Sequence, residues 1–362
     1  MQKISGTQIT TILIIFLVVT AVLSIPGFAA NKANESAWIS VLLSVMVGLV
    51  ELGIVYNLGM RFPQKTLTQY SEILLGKILG KMLSFGYIAF LIFMSFFVVS
   101  AFTDFITIHL MPETPRIVFN FFLTLLAAYA VFQGLEVIAR IAQFVLPLGL
   151  LGLSFLILFP LFNADFSQLL PFFDKGIPAV LSGVILPAAL FGELAVLTFL
   201  LPMTNKPQEV FKNGAYGLLT AGFFLTAVTT VTIAVFGPEQ TQILLFPFLH
   251  LAKSIKVMGI QRLEYFVIFI WVSGIVVKIA VLYYIECFTI VKVLALKDKK
   301  LVMMILGILQ VIVPNYMFKN SFESGMFFAT YWAPFALLFE LAIPLLLLLL
   351  AVIKGKKVRR LN

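Results

Sequence analysis

Glu51, Asp104, Glu193, Lys278, Glu286 and Glu340 each stand inside a long apolar run. An ionised side chain at the centre of a bilayer costs about 2.5–3.5 kcal/mol on insertion scales, so such residues turn inward to partners, a cavity or a ligand. Lys278 is the one cation of this set, and carboxylates on neighbouring helices are its natural partners. Glu286 follows it by eight residues, which puts the two on roughly the same helical face two turns apart. Such groups serve a proton relay or a site for a ligand's ammonium and carboxylate. A structural ion pair that locks helices together would use the same residues, and it is the preferred reading for Glu51 and Glu340, which lie farther from the presumed centre.

Other chemistries find no support. The chain has two histidines, His109 and His250, far apart, a single Cys287 and no glycine-rich nucleotide motif. That excludes the usual metal centres, catalytic triads and phosphate loops, so neither an enzyme nor a cofactor is expected.

The elements that position the charged residues follow from composition. Of 362 residues, 61% are apolar and 11% charged, with a mean hydropathy of +1.09. A soluble domain is about 45–50% apolar and 25% charged, so this is an all-α integral membrane protein surrounded by lipid. The net charge of +9 sits in short loops and in residues 354–360, a distribution that sets topology and implies no nucleic acid.

A span needs about 20 apolar residues. Ten segments qualify, near 7–30, 38–60, 82–110, 116–134, 138–162, 177–202, 214–236, 260–295, 301–318 and 326–353. The first has the outline of a secretory signal, with Lys3, an apolar run and Phe28-Ala29-Ala30, but nine spans follow and it reads as the first helix. Most of the 25 Lys and Arg fall on the side of the N-terminus, which places both termini in the cytoplasm, with Trp38 and Trp332 at the outer interface. The loop 237–259 contains an apolar core that reads as a re-entrant or surface helix, a candidate lid.

The whole chain, 1–362, reads as a single transmembrane domain, with five spans in 1–165 and five in 166–362. An odd number of spans forces the halves into opposite topology, the inverted repeat of secondary transporters. The first helix of each half carries breakers: Ser24-Ile25-Pro26-Gly27 in segment one, and Pro187 followed by Phe191-Gly192-Glu193 in segment six. Proline removes a backbone donor and glycine lowers the cost of unusual angles, so both sites can expose polar backbone toward a cavity. The expected ligand site lies between segments one, three, six and eight. There Phe191, Gly192 and the backbone near Pro26 shape the pocket, Asp104 and Glu193 supply polar recognition, and Lys278 neutralises or relays charge.

Particular motifs carry a resemblance. The opening Ile4-Ser5-Gly6-Thr7-Gln8 resembles the I-S-x-x-Q start of the endospore germination permeases. The first loop, Arg61-Phe62-Pro63, Thr66-Leu67, Tyr70-Ser71-Glu72, Gly76-Lys77 and Gly80-Lys81, is similar to that family's R-F-P-x-x-T-L-x-x-Y-x-E-x-x-x-G. Phe191-Gly192-Glu193 resembles its G-E element, and Asp104-Phe105 its acidic position in segment three. The resemblance spans the whole chain. It implies the B-type, permease-like subunit of a nutrient germinant receptor in the spore inner membrane, assembled with a larger A-type membrane subunit and a C-type lipoprotein. It also implies a relationship to the amino acid, polyamine and organocation transporters. Those have glycine-flanked turns in the first helix that cradle a substrate carboxylate, whereas Ser24-Ile25-Pro26-Gly27 has one glycine. The ligand class therefore stays open among amino acids, sugars and nucleosides, and an autonomous proton-coupled amino-acid transporter is the alternative.

Overall fold

The computed structural model describes residues 3–244, 246–254 and 264–355. The first residues of the expected segment 260–295, the end of the loop 237–259 and the basic tail 356–362 lie outside the described residues. Nearly all of the rest is helix, because an apolar chain in lipid must satisfy its backbone within its own segments.

Helices α1 (Gly6–Ala33) and α2 (Ala37–Arg61) run almost end to end, divided by a 3-10 turn at Asn34–Ser36. A short α3 (Leu67–Leu75) leads into α4 (Lys77–His109), α5 (Arg116–Gln133) and α6 (Leu135–Leu158). Then come α7 (Gly176–Gly192), the single turn α8 (Leu197–Leu200), α9 (Val210–Ile243) and α10 (Pro247–Ser254). After α11 (Glu264–Val293) and α12 (Lys299–Ile312), the last segment comprises α13 (Ser321–Phe327), α14 (Ala333–Leu337) and α15 (Ile343–Ile353). Two π-helical turns, Phe328–Trp332 and Leu338–Ala342, join these three.

Among the described residues, eight helical stretches are long and apolar enough to cross a membrane. The first, Gly6–Arg61, is 56 residues long and contains both α1 and α2. The expected segment 301–318 is α12 of 14 residues followed by a 3-10 turn at Val313–Asn315. At about 1.5 Å per residue its α-helical part is shorter than a hydrocarbon core of ~30 Å.

The two helices with expected breaks lie at the centre. The stretch Gly176–Met203 is 94% buried in its most apolar window, whereas Leu135–Asn163 and Ser321–Ile353 are only 28% buried and present their apolar faces to lipid. Helix α1 packs against α9, α7, α6 and α11. Water does not drive such contacts within a bilayer, so close backbone approach and dispersion must supply the association. At Gly183, where α7 crosses α2, a Cβ would sit 2.6 Å from the Ser40 hydroxyl, and that hydroxyl donates to the Val180 carbonyl at 2.8 Å.

The two breaks differ in kind. In α1 the hydrogen-bonded helix continues through Pro26 to Ala33, so the interruption is the bond that Pro26 cannot donate to Val22. Gly27 is used for packing: a Cβ there would lie 3.4 Å from the Thr241 and Leu244 carbonyl oxygens. The sixth segment changes helix type. After α7 come 3-10 turns at Glu193–Val196 and Leu201–Met203 on either side of α8. The apolar core of the loop 237–259 does contain a short helix, α10, reached through a kink at Gly237 (φ 74°) and Pro238. Phe248, Leu249, Leu251 and Ala252 of α10 are buried against the bundle.

Candidate functional site

Leu186 to Leu190 bring α7 into the middle of the bundle, where the 3-10 turn begins with Glu193. Its carboxylate pairs with the Lys278 ammonium of α11, and the two side chains are 2% and 0% exposed. The same ammonium donates to the Phe16 carbonyl at 3.0 Å and the Thr20 hydroxyl at 2.8 Å, and lies 4.6 Å from the centre of the Phe16 ring. Lys278 therefore ties α11, α1 and the broken helix to one point. Each of its three protons has an acceptor, the condition for keeping an ammonium in a dry interior.

On the other side of Glu193 is a cavity of about 130 Å³, bounded by α1, α4, α7, α11 and α13. Its polar atoms come from Thr20, Ser24, Asp104, Glu193, Ser321 and Ser324, and its walls are aromatic, including Phe246, Trp271, Phe328 and Trp332. At ~30 Å³ per liquid water, that volume holds a few waters or a small organic group. Asp104 pairs with Arg116 of α5 at 2.9 Å, and Arg116 also donates to Ser100 at 3.1 Å. The cavity thus has a carboxylate at each of two places, each matched to a cation from another helix.

The structure brings together Ser24, Asp104 and Glu193 on the cavity wall, with Lys278 directly behind Glu193. It corrects the expected position of the remaining breaker residues. Thr20, Leu23, Ser24 and Phe28 share one face of α1, so the helical period turns Ile25, Pro26 and Gly27 away into buried packing. Leu190 and Glu193, three apart, both reach the cavity, while Phe191 and Gly192 between them do not line it. Phe191 faces Gly48 of α2, and Gly192 faces Glu51 and Glu340. Trp332 is 1% exposed and walls the cavity.

Glu286 is not beside Lys278. It lies next to Ser95 of α4, whose hydroxyl accepts from Gln310 of α12 at 2.8 Å. Nearby, Thr103 donates to Asn120 at 2.5 Å, and Asn120 donates to the Val311 carbonyl at 3.2 Å. This polar seam joins α4, α5, α11 and α12. Two turns along one helix face did not suffice to put Glu286 in the same site, because α4 and α12 cover that end of α11.

Sequence reasoning missed Arg116 as a partner of Asp104, although it opens the expected segment 116–134. It also missed the contribution of the last segment. Ser321, Ser324, Gly325 and Phe328 recur at helical spacing and could have been read as one polar-and-aromatic stripe.

Residues 3–322 match the protein family described as "Spore germination protein". The chain belongs to that family. Among relatives in Bacillus subtilis (strain 168), spore germination protein KB is 28% identical over 289 residues, covering 78% of this chain and 76% of that protein. Spore germination protein YndE is 25% identical over 286 residues, covering 78% and 79%. The fold is that of solved inverted-repeat transporters. A Na+-coupled sialic acid symporter superposes with a TM-score of 0.64 at 14% identity, covering 94% of this chain and 79% of that one. The transporter MhsT, solved in complex with L-phenylalanine, gives 0.65 at 14% identity, covering 98% and 99%.

The family motifs have structural causes here. Ser5 and Gln8 form a reciprocal capping box at the start of α1: the Gln8 side chain accepts from the Ser5 amide at 2.9 Å and the Ser5 hydroxyl from the Gln8 amide at 3.3 Å. Ile4 is fully buried, and its backbone pairs with Met203 and Asn205 after the sixth segment, both at 2.9 Å. In the first loop, Thr66 and Gln69 cap α3, and buried Tyr70 stacks on Phe62 with ring centres 5.2 Å apart. Gly76 adopts φ 84°, a conformation that favours glycine. A Cβ on Gly80 would sit 2.6 Å from the Glu72 nitrogen, so only glycine lets α3 and α4 close to this degree.

Proposed function

We propose that this chain is the permease-like B subunit of a spore nutrient germinant receptor, and that a small nutrient, an amino acid in the first instance, binds in the cavity between α1, α4, α7, α11 and α13. The observation that carries this reading is the cavity itself. It lies at the break of the sixth segment, its walls are aromatic, and it meets Asp104 and Glu193, each held by a cation from a different helix. A ligand ammonium would compete for these carboxylates, and its apolar part would sit against Trp271 and Trp332.

Such competition supplies the differential affinity that a signal needs, since a ligand shifts a conformational equilibrium only through its unequal affinity for the two states. Drawing Glu193 toward a ligand loosens its hold on Lys278, and with it the contact between α11 and the Phe16–Thr20 turn of α1. In this reading the helix shift passes to an A-type membrane subunit and a C-type lipoprotein in the spore inner membrane, with both termini cytoplasmic. Family membership and the bias of Lys and Arg support those assignments.

The test is thermal stability of the purified protein in detergent across a panel of amino acids, sugars and nucleosides, with Glu193→Gln as control. At ~100 times its dissociation constant a ligand stabilises by about 2.7 kcal/mol, a readable melting shift. A shift confined to one compound class and lost in the variant is the expected result. Accumulation of the same compound in proteoliposomes, driven by a proton gradient, would instead make the chain a transporter.

A further inference from the structure

Glu51 of α2 and Glu340 of the second π-helical turn face each other across Gly192. A Cβ on that glycine would lie 2.7 Å from one Glu340 carboxyl oxygen and 3.2 Å from one of Glu51, so the two oxygens are no farther apart than those distances combined. The two residues are 1% and 2% exposed, and none of their four carboxyl oxygens has a hydrogen-bond donor among the described residues. Lys278, the cation whose charge reaches Glu340, is already committed to Glu193, Phe16 and Thr20.

We propose that Glu51 and Glu340 form a proton-binding site, with a proton held between the two carboxyl groups over Gly192. Two unpaired carboxylates cannot stand together in a dry interior, and such groups take up a proton instead.

The titratable and charged groups facing the pair, element by element, are Glu193 of the 3-10 turn, Lys278 of α11 and Tyr87 of α4, with Tyr70 of α3 behind Tyr87. The Tyr87 hydroxyl donates to the Phe339 carbonyl at 2.7 Å, which leaves it accepting only and holds the π-helical turn that presents Glu340. When the proton leaves, an acid O–H bond breaks, the electron pair remains on the carboxylate and the proton passes to solvent water. The new negative charge then competes with Glu193 for Lys278. Proton occupancy at Glu51–Glu340 thereby sets how strongly Lys278 holds Glu193 against the pull of a ligand in the cavity. This coupling rests on the ligand site proposed above; the proton site does not.

The test is infrared difference spectroscopy of the full chain in detergent, recorded without any nutrient. Carboxyl groups in water ionise near pH ~4.3, so a protonated-acid carbonyl band that persists at neutral pH reports a buried acid. The wild-type chain should show a band that Glu51→Gln and Glu340→Gln each shift, because the remaining acid keeps the proton without its partner, that the double variant diminishes, and that replacing choline chloride with sodium chloride leaves unchanged. A band untouched by both substitutions overturns the proposal, as does one abolished by sodium, which would make this a metal-cation site. Should one variant fail to fold, the other reads the same shared proton. Absence of any such band in the wild-type chain overturns the proposal without a variant.

Discussion

At the scale of the residue, the sequence showed where charge sits and less of what it touches. A cation surrounded by apolar residues must find a carboxylate, so a buried acidic partner for Lys278 was legible from residue type, but not that it is Glu193. Its other acceptors, the Phe16 carbonyl and the Thr20 hydroxyl, were not, because a backbone oxygen carries no mark in the sequence. The pair makes a definite prediction. Lys278→Met leaves Glu193 buried without its counter-charge and should lower stability by about 3–5 kcal/mol, whereas adding Glu193→Gln should recover a large part of the loss. Thermal melting of both variants checks this, and equal destabilisation of the single and the double would count against a coupled pair. Gly192→Ala pushes a methyl group against the Glu340 carboxyl and should cost about 1–3 kcal/mol, read in the same way.

At the scale of the element, prolines and glycines announced the sixth-segment break but not its form. Pro187 and Gly192 mark a point where the ladder weakens; the switch to 3-10 turns that aims Leu190 and Glu193 at the cavity is a tertiary outcome. Glu340 was given the structural role for its distance from the presumed centre; the π-helical turn that brings it beside Gly192 has no sequence signature. Tyr87→Phe removes the hydroxyl that satisfies the Phe339 carbonyl in that turn and should destabilise by about 1–3 kcal/mol. On the opposite side, the Arg116–Asp104 pair bridges α5 and α4 where Arg116 is still 27% exposed. It is placed to act as a latch on the cavity. With Ser324→Cys as a reporter and the native Cys287 buried, Arg116→Gln should speed labelling by a hydrophilic thiol reagent several-fold; unchanged labelling would remove the latch role.

At the scale of the whole molecule, ten helical segments and an inverted-repeat transporter fold followed from hydropathy and from counting spans, because a bilayer permits few alternatives. The placement of Glu286 did not follow, since helix neighbours and not helix faces decide which buried carboxyls share a site. The proposed function requires that a small nutrient enter the cavity beside Glu193. Two of the three tryptophans, Trp271 and Trp332, wall that cavity, and the third, Trp38, packs against Phe172 elsewhere. The most direct measurement is therefore tryptophan fluorescence of the Trp38→Phe variant titrated with amino acids, sugars and nucleosides. A saturable change with one compound class, abolished by Glu193→Gln in a protein that still melts cooperatively, is the expected result. A change that survives Glu193→Gln, or no change with any compound, would contradict it.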